Sequence, residues 1–214
     1  MTAQSREPPG PRAILGVNYY TGFATICKSS KCAFWEEILM QTYKICLIRH
    51  GTTRANEEGL YIGRTDLPLS PRGFARLMEQ KEKNVYPPAR RFFAPPLARC
   101  RQTLSVLYPG CRIEDAPGLT ECDFGEWEGM TVPELKAKYG DTYMNFIKNP
   151  HLYDFPGEGN ISNVINRLKP SLDRIIENES GNILIVSHGG IIRLMIMYIM
   201  GLDNSWFTKM WINN

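Results

Sequence analysis

Histidine is scarce in this 214-residue chain, with three copies at positions 50, 151 and 188. Charge of one sign is scarce as well. The formal net charge of +3 is too small to argue by itself for nucleic acid or an anionic membrane as partner. No basic block is longer than Ala89-Arg90-Arg91, and no aromatic–basic repeat offers stacking to RNA. The six cysteines, at 27, 32, 46, 100, 111 and 122, lack the paired spacing of a zinc site. Reduced thiols in the cytoplasm are therefore the expectation. Uninterrupted apolar runs of membrane length are missing too. The most apolar window, 183–200, contains Ser187, His188, two glycines and Arg193, which suits a strand, a turn and a helix better than a membrane span. There is no internal repeat or low-complexity tract. A composition of 43% hydrophobic and 22% charged residues fits one globular domain with room for an appendage.

Two of the three histidines stand in the same setting. Tyr43-Lys44-Ile45-Cys46-Leu47-Ile48 is apolar apart from Lys44 and does not alternate, as expected of a strand buried on both faces. It runs into Arg49-His50-Gly51, where a cation and an imidazole meet a residue that permits a sharp turn. Ile183-Leu184-Ile185-Val186-Ser187 ends in the same way, at His188-Gly189-Gly190. In open α/β sheets, ligands collect at the carboxyl ends of strands, so both histidines are expected to face a pocket.

Residues 1–42 differ from the rest. Pro8, Pro9, Gly10 and Pro11 exclude early regular structure, and no periodicity persists afterwards, apart from a short helix expected at 34–39. This stretch reads as an unstructured extension or a start-site artefact, with Met40 as the natural start. Beyond the first strand, Ser70-Pro71 is an N-cap followed by proline at N1, predicting a helix to about residue 83. Residues 91–94 read as a strand and 97–107 as a helix. Thr131-Val132-Pro133-Glu134 is a capping box opening a helix to about Tyr139, with a second short helix over 141–148. Ile161, Val164, Ile165, Leu168, Leu172, Ile175 and Ile176 mark one apolar helical face, which Pro170 should bend or restart. Strand 182–187 and a helix from about Gly190 to Met200 follow, with Gly201 just past its end. Strand and helix alternate throughout, predicting a three-layer α/β/α sandwich.

If the loops after these strands converge, Arg49, His50, Arg54, Asn56, Arg99 and His188 share one pocket. Guanidinium forks match phosphate oxygens and stay charged. The helix beginning at Gly189-Gly190 adds backbone N–H groups and its positive dipole end. Histidine serves as a nucleophile when neutral, with one ring nitrogen tied to a backbone carbonyl. His50, between Arg49 and Gly51, is the better candidate, and His188 is then expected to be a cationic donor to the phosphoryl oxygens. A proton donor is also needed, and 121–129 offers four carboxyls, Glu121, Asp123, Glu126 and Glu128, among which composition does not choose.

Leu47-Ile48-Arg49-His50-Gly51-Thr52-Thr53-Arg54-Ala55-Asn56, followed by Tyr61-Ile62-Gly63-Arg64-Thr65-Asp66, resembles the opening of the histidine phosphatase superfamily. Pro96 to Thr103 resembles its arginine motif, Glu121 to Gly129 its acid motif, and Ser187 to Gly190 its second-histidine motif. The resemblance implies a phosphoglycerate mutase-like fold over 43–214, lacking its C-terminal end because relatives continue through a further strand. It implies His50 as phosphohistidine nucleophile, Glu121 as acid, and Arg49, Asn56, Arg99, His188 and Gly189 as phosphate ligands. No metal or other cofactor is implied. The stretch around Tyr61 is most similar to the α-ribazole phosphatase branch, which implies hydrolysis of α-ribazole 5′-phosphate or a related small phosphate ester in cobalamin biosynthesis. A broad-specificity small-molecule or sugar phosphatase and a cofactor-dependent phosphoglycerate mutase are the alternatives. A non-catalytic phospho-ligand binding protein ranks last, because nucleophile and acid are both present. In departure from the family, Thr52 stands where many members have glutamate, and Ile62 where some carry a polar side chain.

Overall fold

The computed structural model describes residues 13–18, 23–28, 43–83, 86–178 and 181–213. Its framework is a six-stranded sheet. The strands are β1 (Ala13–Asn18), β2 (Phe23–Lys28), β3 (Tyr43–Arg49), β4 (Arg91–Ala94), β5 (Ile113–Asp115) and β6 (Ile183–Ser187). They lie in the order β1-β2-β3-β6-β4-β5. Strands β3, β6, β4 and β5 run parallel, while β1 and β2 add antiparallel to the free side of β3.

The period-2 geometry of strands divides the central pair between two cores. Ile45 and Leu47 of β3, with Ile183 and Ile185 of β6, face one side. Cys46 and Ile48, with Leu184 and Val186, face the other. All eight are buried, which is why neither sequence alternates: both faces are covered. The second face is covered by α2 (Pro71–Glu82) and α3 (Ala98–Leu107). The first is covered by α4 (Val132–Lys148), α5 (Ile161–Glu177) and α6 (Gly189–Met200), completing the three-layer sandwich. A four-residue helix, α1 (Arg54–Glu57), follows the first histidine.

The helix starts follow their caps. Ser70 Oγ accepts from Gly73 N with Pro71 at the first turn, and Thr131 and Glu134 form the reciprocal capping box. The expected break between two short helices is a kink at Gly140, whose φ is +48°. Helix α5 runs through Pro170 without interruption.

The reading of 1–42 as an unstructured extension falls largely outside the described residues, as does the expected helix at 34–39. The two stretches of it that are described are strands paired through β2 to β3. No helix among the described residues is long and apolar enough to cross a membrane.

Candidate active site

Parallel, in-register pairing brings the two histidines together. Arg49 and Ser187 are Cα partners at the ends of β3 and β6, so the next residues, His50 and His188, emerge side by side. Their rings meet edge to face, with centroids 5.1 Å apart. The backbone N–H of His50 donates to Ser187 O at 2.9 Å, locking the two strand ends level.

The rings have opposite tautomers. His50 Nδ1 lies 2.8 Å from Gly51 O. A carbonyl only accepts, so Nδ1 carries the proton and the lone pair is on Nε2. Burial, followed by the nearby charges of Arg99 and Arg49, pushes the His50 pKa down to about 3, so the ring is neutral at pH 7. His188 Nδ1 is 3.3 Å from Arg99 Nη2. A guanidinium only donates, so here Nδ1 accepts and Nε2 carries the proton, 3.5 Å from Cys100 Sγ. Burial, with His50 and the arginines around it, holds His188 well below the ordinary imidazole range. This corrects the expectation of a cationic His188: it is a neutral donor, because a third buried positive charge beside Arg99 and Arg49 would be unfavourable.

The guanidiniums are held by backbone carbonyls. Arg99, fully buried at the start of α3, donates from Nη1 to Thr65 O at 2.8 Å and from Nη2 to Gly63 O at 2.7 Å. The 63–65 loop can approach this closely only because residue 63 is glycine. A Cβ there would fall 1.9 Å from Cys122 O. Arg49 donates from Nη1 to Ile212 O at 2.7 Å, and its buried Nε has no hydrogen-bond partner among the described residues. Burial lowers its pKa to about 10, which leaves it charged at neutral pH. Asn56 Oδ1 accepts from Thr53 N in the cap of α1, so its Nδ2 is the atom that can donate into the cleft.

Of the four acid-motif carboxyls, Glu121 alone lines the cleft with Arg49, Asn56, Gly189 and Gly190. It is buried, accepting from Cys122 N at 3.1 Å and from Gly190 N at 3.2 Å. The second bond puts its carboxylate at the positive N-terminus of α6. The other three are engaged elsewhere. Asp123 accepts from Gly125 N, Glu126 from Tyr139 Oη, and Glu128 from the backbone of Arg64 and Thr65.

Arg54 does not join the site. It lies on the outer face of α1 and pairs with Glu58 in solvent. Three residues not singled out from the sequence do take part. Thr103 accepts from Gly51 N at 2.9 Å and donates to Arg99 O at 2.6 Å, tying the His50 turn to α3. Arg167 donates to the carbonyls of Gly118, Thr120 and Glu121 while pairing with Glu158, so it holds the acid loop in place. Arg193 reaches the cleft wall from α6. Each had a signal in the sequence: a polar residue among the apolar positions of a helix.

Arg49, Asn56, Glu121, Gly189 and Gly190 line a cleft of about 540 Å³, and His50, Arg99 and His188 are buried beside them. A neutral imidazole with an unprotonated Nε2, two fixed guanidiniums, a second imidazole donor and a carboxyl can transfer a phosphoryl group without further machinery. Among the described residues, no cluster of histidine, cysteine, aspartate or glutamate has the arrangement of a metal site.

Known proteins resemble this chain in sequence and fold. The sequence profile described as the histidine phosphatase superfamily (branch 1) matches residues 45–214. Phosphoserine phosphatase 1 of Hydrogenobacter thermophilus is 28% identical, over 80% of this chain and 82% of its own. The adenosylcobalamin/alpha-ribazole phosphatase of Salmonella typhimurium is also 28% identical, over 73% of this chain and 79% of its own. The crystal structure of the alpha-ribazole phosphatase from Shigella flexneri superposes with a TM-score of 0.69 at 26% identity, covering 79% of this chain and 86% of that one. With its fold, its paired histidines and a profile match over most of its length, the chain belongs to the histidine phosphatase superfamily and is a phosphomonoesterase of the phosphohistidine type.

Proposed function

We propose that this enzyme hydrolyses a small-molecule phosphate monoester in two steps, with His50 as nucleophile. His50 Nε2 attacks phosphorus, the ester P–O bond breaks, and protonated Glu121 passes its proton to the departing alkoxide. The resulting Glu121 carboxylate then takes a proton from water as the water oxygen attacks the phosphoryl group. The N–P bond breaks, orthophosphate leaves and Glu121 is protonated again. Arg49, Arg99, Asn56, His188 and the N–H groups at Gly189 hold the phosphoryl oxygens throughout.

The observation that carries this reading is the His50 Nδ1 contact with Gly51 O. It fixes the tautomer that leaves a lone pair on Nε2, in a ring kept neutral by its surroundings. The relatives support a small organic phosphate without selecting one. One is named for phosphoserine and another for adenosylcobalamin or alpha-ribazole. A small-molecule phosphatase of broad specificity is therefore better supported than one dedicated to α-ribazole phosphate. The test is hydrolysis of p-nitrophenyl phosphate in the presence of a chelator, together with acid-labile phosphate labelling of the rapidly quenched enzyme. Turnover and labelling at His50 are expected, and turnover that depends on added metal would refute the mechanism.

A further inference from the structure

The cleft is much larger than its floor requires. Its volume of about 540 Å³ is an order of magnitude above the roughly 30 Å³ share of one water molecule, so a phosphoryl group fills only a corner. The rest must receive the alcohol, and the walls there are apolar: Tyr61, Ile62, Phe124, Ile147, Phe207 and Trp211. Tyr61 offers its ring rather than its hydroxyl, because Oη is hydrogen-bonded to Tyr143 Oη at 3.0 Å and the ring packs against Phe124 at 5.3 Å. The wall contains one further cation, Arg193, two of whose three nitrogens are held by carbonyls. Its Nε donates to Gly189 O, its Nη1 to Phe207 O, and Phe207 covers its guanidinium at 4.4 Å. At the mouth, Ile147 is 40% exposed and Trp211 79% exposed, leaving large apolar surfaces for a ligand to cover.

We infer that the physiological substrate is a monoester of a bulky, uncharged, apolar alcohol, an aryl group or an alkyl chain of several carbons, and that these six side chains set the specificity. This rests on the phosphomonoesterase reading above and narrows it. A small alcohol carrying its own carboxylate and ammonium groups would set most of its surface against rings and aliphatic chains, with Thr208 and Arg193 as the polar side chains of that wall. Ile62 extends the same apolar surface.

The test is a series of n-alkyl phosphates, ethyl, butyl and hexyl, whose leaving groups are nearly identical and whose apolar areas are not. The expected result is a rise in kcat/KM of about fourfold per methylene, with O-phosphoserine and glycerol 3-phosphate below butyl phosphate. Ile147→Asn and Trp211→Ala, both at exposed positions, should each reduce the rise per methylene. A flat series, a preference for phosphoserine over hexyl phosphate, or an undiminished slope in both variants would overturn the inference. Phosphate labelling of His50 by p-nitrophenyl phosphate in the same preparation separates the two levels. Labelling with a flat series sinks only the apolar substrate, whereas absence of labelling sinks the reaction itself.

Discussion

His50 and His188 have nearly the same local sequence, an apolar strand running into histidine and glycine, yet the fold gives them opposite hydrogen-bonding roles. One ring donates from Nδ1 to the carbonyl of the next residue. The other accepts at Nδ1 from a guanidinium 89 residues away in sequence. A motif can therefore deliver an imidazole to a pocket without specifying which nitrogen faces the ligand. That choice belongs to whatever packs behind the ring.

The comparison breaks most sharply at the nucleophile. His50→Ala should abolish covalent labelling and lower kcat by at least about 10⁴-fold. Labelling that survives this change would give the nucleophilic role to the other ring. Glu121→Gln comes next, with a loss of about 10² to 10⁴ for alkyl phosphates and little loss for p-nitrophenyl phosphate, whose leaving group needs no proton. Equal losses for both esters would remove Glu121 as the acid. His188→Ala should keep labelling but slow turnover about 10²-fold, as expected when one oxyanion donor is removed. Loss of labelling in that variant would show the two rings to be less distinct than their tautomers suggest.

The smallest effect is on stability. Both rings have depressed pKa values in the folded state, against about 6.5 for an unperturbed histidine. Below about pH 6.5 the unfolded chain takes up protons at these positions that the folded chain refuses, until about pH 3 at His50. Their contribution is therefore fully present above that range and is lost as pH falls through it. Unfolding free energies from urea titrations should fall between pH 7 and 4.5 by an amount on the order of a few kcal/mol. His50→Gln should flatten that slope, and an equally steep slope in the variant would contradict burial as its cause.

Much of the sandwich was legible because its strands and helices have strong local patterns. Residues 43–49 and 183–187 are apolar on both faces, and α5 shows a continuous stripe at helical spacing. Strand β5 was not legible. Ile113-Glu114-Asp115 has no apolar run, and it is a strand because β4 supplies a parallel partner. Arg54 was misplaced for a related reason. It lies four residues after His50, but the short turn of α1 points it to solvent, where Glu58 meets it. The acid motif was legible as a group of carboxyls and not as one. Glu121 is distinguished by Gly190, which approaches from the far end of the chain and leaves no room for a side chain: a Cβ there would meet Glu121 Oε1 at 2.7 Å.

From the sequence by itself came the order of β3, β4 and β6 and of the longer helices along the chain, the strand-end positions of both histidines and the acidic loop between them. These follow from apolar periodicity, caps and turn residues, which act over a few neighbouring positions. The protonation of each imidazole, the choice of Glu121 and the apolar wall above it were decided only by the tertiary structure. Burial and hydrogen-bond partners set those properties, and the partners come from loops that meet only once the sheet has formed.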